Sequence, residues 1–364
     1  MLRLPLAAAL AGAARHAAGQ TPAALPQLPR VNGGMNIQPI RHLNPPGLGA
    51  EPVIGPDLVE LQVRLLYELG FSATRITLTF EQFSRNFLAA LPYVRAARAV
   101  GIDVVGILVD FDGFDLLRAL VVPRARREVI STYLDLFAAP VEPASPGVPR
   151  TGRFLLQVLN EPTHFFGIPP RNYVGDFLAP VYDDVVLLQP SVPVVAAAPV
   201  GNVDGVLRLR EMLAAGLESV CDYVAVHLYS ERLIDMMSGL ARRRPVLVTE
   251  SGVAGPDKHL DWVTETFPRI SAGIDRTELV FFFELLDLDP NRWRVIEVRV
   301  EPSGAYTVRA ESPALLDHWR RQVVAATDGF PHASFSDLVP DIIAYFPTEE
   351  DYERVEDGRK RAYG

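Results

Sequence analysis

The chain has a single cysteine, Cys221, in 364 residues. No internal disulfide can form, and no C-x-x-C pair exists to hold zinc or to run dithiol exchange. Basic charge is not in excess either: 35 Lys and Arg stand against 44 Asp and Glu, a formal net charge of −9. That balance excludes a basic nucleic-acid binder. No apolar run reaches the ~18 residues needed to span a bilayer, the nearest being the N-terminus. A dinucleotide fingerprint is missing too, because Gly33-Gly34 sits inside an apolar run and lacks the third glycine before a helix. What is present is 49% hydrophobic and 22% charged residues, enough for a large core and unlike a disordered or fibrous chain.

The two ends differ from the middle. Residues 1–30 run from Arg3 through the apolar stretch Leu4 to Ala14, with Ala11-Gly12-Ala13 as an Ala-x-Ala choice, into a Pro-rich segment. This is the layout of a signal peptide, so a secreted or periplasmic protein is expected. Residues 328–364 lose periodicity and read as a partly ordered extension, to which the sequence assigns no function.

Between them, short β-branched runs alternate with longer amphipathic ones, the pattern of βαβ units. Strands are expected at 31–38, 73–80, 102–109, 153–159, 192–198, 222–228, 245–249 and 278–284. Helices are expected at 57–69, 82–99, 114–138, 171–188, 204–217, 231–242, 257–273 and 312–326. Eight such repeats over about 300 residues predict an α/β protein, a (β/α)8 barrel spanning 31–326. Alternating residues at 292–310 about Pro302-Ser303-Gly304 add a β-hairpin inserted after strand 8, at the barrel mouth.

In such a barrel the C-terminal strand ends carry the chemistry. Strand 4 stops at Asn160-Glu161-Pro162, and strand 7 at Thr249-Glu250-Ser251-Gly252. A carboxylate directly after a buried strand is costly to desolvate. Strands 4 and 7 face one another obliquely, so the two glutamates can meet around one bond. Paired carboxylates serve glycosidic cleavage, one protonating the leaving oxygen while the other attacks the anomeric carbon or activates water. Carboxyl groups about 5–5.5 Å apart favour the covalent route, and about 6.5–9.5 Å the water-mediated one.

These ends, together with His227-Leu228-Tyr229 after strand 6, resemble the signature of the clan A glycoside hydrolases, the retaining (β/α)8 enzymes that include family 5 cellulases and family 39 glycosidases. The resemblance implies Glu161 as general acid/base and Glu250 as nucleophile. It implies that Asn160 hydrogen-bonds the sugar 2-hydroxyl, that Tyr229 holds the nucleophile, that Arg75 lies beneath it, and that His227 is the mouth histidine. No cofactor and no metal are implied; the substrate would be an oligo- or polysaccharide.

The chain departs from family 5 at two strand ends. Strand 3 ends Leu108-Val109-Asp110-Phe111-Asp112 without a histidine, and strand 8 has Phe281-Phe282-Phe283-Glu284 in place of a tryptophan. Phe283 or Trp293 is expected to supply the missing sugar platform. Asp110, Asp112, Glu284, Asp287 and Asp289, with His164 and Asn202, are expected to crowd the mouth and bind hydroxyls. Two rivals use the same residues: a transglycosylase, and a non-catalytic carbohydrate-binding barrel.

Overall fold

The computed structural model describes residues 26–38, 54–79, 85–109, 115–145, 148, 150–287, 293–301, 303, 305–328, 332–339 and 341–363. Eight parallel strands form the centre: β1 (Asn32–Ile37), β2 (Phe71–Thr79), β3 (Asp103–Val109), β4 (Phe154–Val158), β5 (Val194–Val195), β6 (Val224–Leu228), β7 (Val246–Ser251) and β8 (Thr277–Phe282). They lie in the order β5-β4-β3-β2-β1-β8-β7-β6. The ring closes between β5 and β6 by the Val195–Tyr223 bridge, with Ala196 N donating to Tyr223 O at 3.0 Å. This is the (β/α)8 barrel that the eightfold alternation predicts.

Proline punctuates the return segments. Pro56, Pro123, Pro162 and Pro313 each stand in the first turn of a helix, where the absent N–H has no intrahelical partner to lose. Pro123 also splits the single helix expected at 114–138 into Asp115–Val121 and Pro123–Phe137. The residue before a proline is pushed out of the helical region, and Val122 is extended (φ −96°, ψ 114°).

Period-2 alternation divides the core in two. Met35, Ile37, Ile76, Leu156 and Val158 point outward into the shell between strands and helices. Ala73, Val105, Leu155, Val195, Ala225, Leu247 and Phe281 point inward and plug the barrel. Gly34 belongs to this inner set by necessity, because a Cβ there would lie 2.3 Å from the Phe281 ring. Above the plug, the next inward positions are polar, and the site is built on them.

After β8, β10 (Ile296–Val300) and β11 (Tyr306–Ala310) pair antiparallel, the inserted hairpin. β9 (Leu286–Asp287) pairs parallel with β10, so the appendage has three strands.

The C-terminal residues are more ordered than their lost periodicity suggests. Glu349–Tyr363 is a helix packed on Pro123–Phe137. The reason is a polar start that hydrophobic periodicity does not see. Thr348 N and Oγ1 donate to Asp351 Oδ2 at 2.8 and 3.1 Å, and Asp351 N returns a bond to Thr348 Oγ1 at 3.4 Å, a capping box. Arg95 grips the same carboxylate at 2.7 and 2.9 Å. Burial would raise this carboxyl, but the bonds from Arg95 and Thr348 outweigh it and hold Asp351 below the usual carboxylate range. Asp351→Ala is expected to cost about 3 kcal/mol, as for other broken buried ion pairs. Hydrogen exchange should rise across 349–363 while β1–β4 stay protected; unchanged exchange in the helix would contradict the clasp.

Candidate active site

Directly above the plug, four strands offer polar side chains to the barrel axis: Asn36 on β1, Arg75 on β2, Gln157 on β4 and His227 on β6, none more than 3% exposed. A buried guanidinium must find acceptors for its donors. Arg75 finds four. Nε donates to Gln157 Oε1 at 2.8 Å, Nη1 to Asn36 Oδ1 at 2.9 Å and to Glu250 Oε1 at 2.7 Å, and Nη2 to Asn160 Oδ1 at 2.8 Å. Three of the four acceptors are neutral amides, and Glu250 is the one carboxylate.

Glu250 reaches the axis through a β-bulge. Counting by two from inward Leu247 would turn Glu250 outward, but two residues of β7, Thr249 and Glu250, oppose one of β8, Phe281, between the pairs Val248–Val280 and Ser251–Phe282. A bulge of this kind re-aims a side chain. Glu250 then receives Arg75 on Oε1 and the Tyr229 hydroxyl on Oε2 at 2.5 Å. Burial would raise its carboxyl, yet His227, Arg75 and the bond from Tyr229 together hold it below the usual range. Tyr229 moves the other way: burial and the neighbouring Glu250 carboxylate push its hydroxyl well above the ordinary phenol value.

Glu161 occupies a sharp corner. Leu159 (φ 65°) and Glu161 (φ 41°) are both left-handed, a conformation that costs a non-glycine residue roughly 1–2 kcal/mol. Backbone bonds hold the corner, from Leu159 N to Leu108 O at 2.9 Å and from Glu161 N to Ala198 O at 3.2 Å. Strain maintained in this way clusters at functional positions. His227 lies between the two glutamates, with Nδ1 2.7 Å from Glu161 Oε1 and Nε2 3.3 Å from Glu250 Oε1. One oxygen of each glutamate and a His227 nitrogen all fall within 4.8 Å of one another. Such a trio is compact enough for a divalent ion, but Arg75 and Tyr229 already engage both oxygens of Glu250. Arg75 is the permanent cation paired with Glu250.

Trp293, from the segment leading into β10, meets Tyr229 edge-on at 5.1 Å between centroids, and Phe283 stands 6.2 Å from Tyr229 and 6.3 Å from Trp293. The three rings form an aromatic wall beside Glu250. Glu284 follows β8, is 3% exposed, and its carbonyl accepts from Val295 N at 3.1 Å.

The structure therefore brings together Glu161, Glu250, Asn160, Arg75, His227, Tyr229 and, at the wall, Trp293. Asn202 instead caps the helix Val203–Ala214 by accepting from Gly205 N at 2.9 Å, and His164 is exposed against Phe165. Asp110, Asp112 and Asp289 lie outside the described residues, as do residues 1–25 of the leader.

Three groups at the site have no counterpart in the sequence reading. Asn36 and Gln157 are single polar residues inside apolar strands, Met35-Asn36-Ile37 and Leu156-Gln157-Val158; a buried amide demands partners, which was the available signal. The third is Trp262, whose indole N–H donates to Ser251 Oγ at 3.0 Å, next to Glu250. It sits in the π-helical turn Trp262–Thr266, and such turns mark functional positions.

No protein-family model matches the sequence, and no curated relative does. Solved structures do resemble it. A family 51 α-L-arabinofuranosidase from Bifidobacterium longum aligns with a TM-score of 0.52 at 13% identity, over 82% of this chain and 74% of that one. The catalytic domain of GH30 xylanase C from Talaromyces cellulolyticus gives 0.52 at 12%, over 82% and 77%. A GH39 enzyme from Xanthomonas axonopodis pv. citri gives 0.51 at 13%, over 82% and 67%. At these identities the likeness is one of fold: the chain carries the (β/α)8 barrel seen in clan A glycoside hydrolases.

Proposed function

We propose that the barrel is a retaining glycoside hydrolase acting on an oligo- or polysaccharide. The observation that carries this reading is the pairing of Glu161 and Glu250 at 4.8 Å or less between oxygens, in two unlike environments. That closeness is in line with the about 5–5.5 Å carboxyl spacing of double displacement rather than the wider gap that holds a water.

The environments divide the labour. Glu250 is kept ionised by His227 and Arg75 and aligned by the Tyr229 hydroxyl, as an attacking carboxylate requires. Glu161 contacts His227 and not Arg75, and is assigned the proton transfers. Attack by Glu250 on the anomeric carbon breaks the glycosidic bond while Glu161 protonates the departing oxygen. The ionised Glu161 then takes a proton from water, which displaces Glu250 and restores both groups. Asn160, anchored by Arg75, would bind the sugar 2-hydroxyl, and the wall of Tyr229, Phe283 and Trp293 offers apolar faces for a ring to stack on. Glu284 and Asp110 extend the proposal as hydroxyl acceptors. The signal-peptide layout of residues 1–30 extends it to a secreted or periplasmic site of action.

Glu250→Gln should abolish turnover on every substrate. Glu161→Gln should spare only substrates with good leaving groups. Equal, mild losses in both would contradict the assignment, and saturable sugar binding without hydrolysis would turn the reading toward a non-catalytic barrel.

The pH dependence has a definite sign. Glu250 must be ionised to attack, and its carboxyl lies below the ordinary glutamate value of about 4.3. Activity should persist as pH falls through the ordinary range, with the acidic limb of kcat/KM below about pH 4.3. Arg75→Met removes the cation and leaves the burial that raises the carboxyl, so the limb should move upward. The broken buried pair should also cost about 3–5 kcal/mol of stability, read from denaturant unfolding. A limb that stays in place would separate Arg75 from the ionisation of Glu250.

A further inference from the structure

Asn36 makes three side-chain hydrogen bonds, each to a part of the site that the two carboxylates depend on. Its Oδ1 accepts from Arg75 Nη1 at 2.9 Å, the same nitrogen that binds Glu250. Its Nδ2 donates to Thr249 O at 2.9 Å, the carbonyl just before Glu250, and to Phe282 O at 3.2 Å at the end of β8. Its own carbonyl accepts from Leu285 N at 3.2 Å. One amide from β1 thus ties β2, β7 and β8 together at the height of Glu250. At 3% exposure, its amide has these bonds in place of solvent.

Chemistry narrows why an amide stands here. The site needs an acceptor toward Arg75 and a donor toward two backbone carbonyls, and an asparagine supplies both on one short stem. An aspartate has the same shape and can accept from Arg75, but it brings a second negative charge to the guanidinium and turns an acceptor toward Thr249 O and Phe282 O. Gln157 repeats the theme from β4, accepting from Arg75 Nε at 2.8 Å and donating to Leu159 O at 2.9 Å.

We infer that Asn36 is a positioning residue of this site: its amide aims Arg75 at Glu250, fixes the backbone carrying Glu250, and by being neutral leaves the guanidinium charge undivided for that carboxylate. The inference rests on the assignment of Glu250 under the proposed function and adds the residue that sets its ionisation. The charged and titratable groups facing Glu250 are Arg75 from β2, His227 from β6, Tyr229 just after β6, and Glu161 after β4, which meets the other side of His227. An acid at position 36 would be a new carboxylate bonded to the same Arg75 nitrogen.

The test is the titration of Glu250 in full-length wild type, Asn36→Asp and Asn36→Ala. It is followed by carboxyl-carbon NMR, with the resonance identified by its loss in Glu250→Gln. No substrate is needed, so a failure of the hydrolase reading, seen as absent wild-type turnover, is distinct from a failure here. Asn36→Asp should raise the Glu250 midpoint by about 1 pH unit or more, since a like charge sharing a site acts at that scale. Where turnover is measured, the acidic limb of kcat/KM should rise by the same amount. Asn36→Ala adds no charge, loosens Arg75, and should raise the midpoint less while lowering kcat more than it changes KM. If Asn36→Asp does not fold, the alanine variant decides alone. Loss of stability in either variant with an unmoved midpoint would reduce Asn36 to a structural residue and overturn the inference.

Discussion

The buried pair between Arg75 and Glu250 is the constraint on which the rest of the site depends. Taking either charge out of water alone costs several kcal/mol, so each is tolerable only with the other at 2.7 Å. Once Arg75 is buried, its remaining donors need acceptors. That need accounts for Asn36, Gln157 and Asn160 around it. Asn160 immediately precedes Glu161, and Gln157 bonds the Leu159 carbonyl in the same turn. One guanidinium therefore links the strand that carries Glu250 to the corner that carries Glu161.

The barrel makes the pair possible by what lies beneath and beside it. Below, the inward apolar plug excludes water from the strand interior, with Gly34 leaving room for Phe281. Beside it, a bulge in β7 and left-handed residues after β4 depart from regular geometry. Both departures occur at the two glutamates. Regular strands would turn Glu250 toward the helices, so irregularity here is the means of bringing the carboxylates together.

Much of this was legible in the sequence because apolar periodicity reports burial directly. The eight strands and the hairpin followed from it, and the placement of Glu161 and Glu250 followed from acids standing where apolar runs stop. What was not legible depended on single polar contacts. Thr348 and Asp351 nucleate the last helix through a capping box and Arg95, neither of which alters hydrophobic pattern. Asn36 and Gln157 were read as strand interior, although an amide flanked by Met35 and Ile37, or by Leu156 and Val158, has to be answered by a buried partner. Asn202 has a second duty that the apolar pattern does not report, since a polar residue before a helix serves its N-terminus.

The proposed double displacement would make one species that neither a non-catalytic barrel nor an inverting enzyme produces, a glycosyl group esterified to Glu250. A 2-fluoro glycoside with a good leaving group, built on a sugar the enzyme turns over, should slow the release of that ester enough to isolate it. Peptide mass spectrometry should then place one glycosyl adduct on Glu250. An adduct on Glu161, or turnover with no adduct and an inverted product, would contradict the central claim.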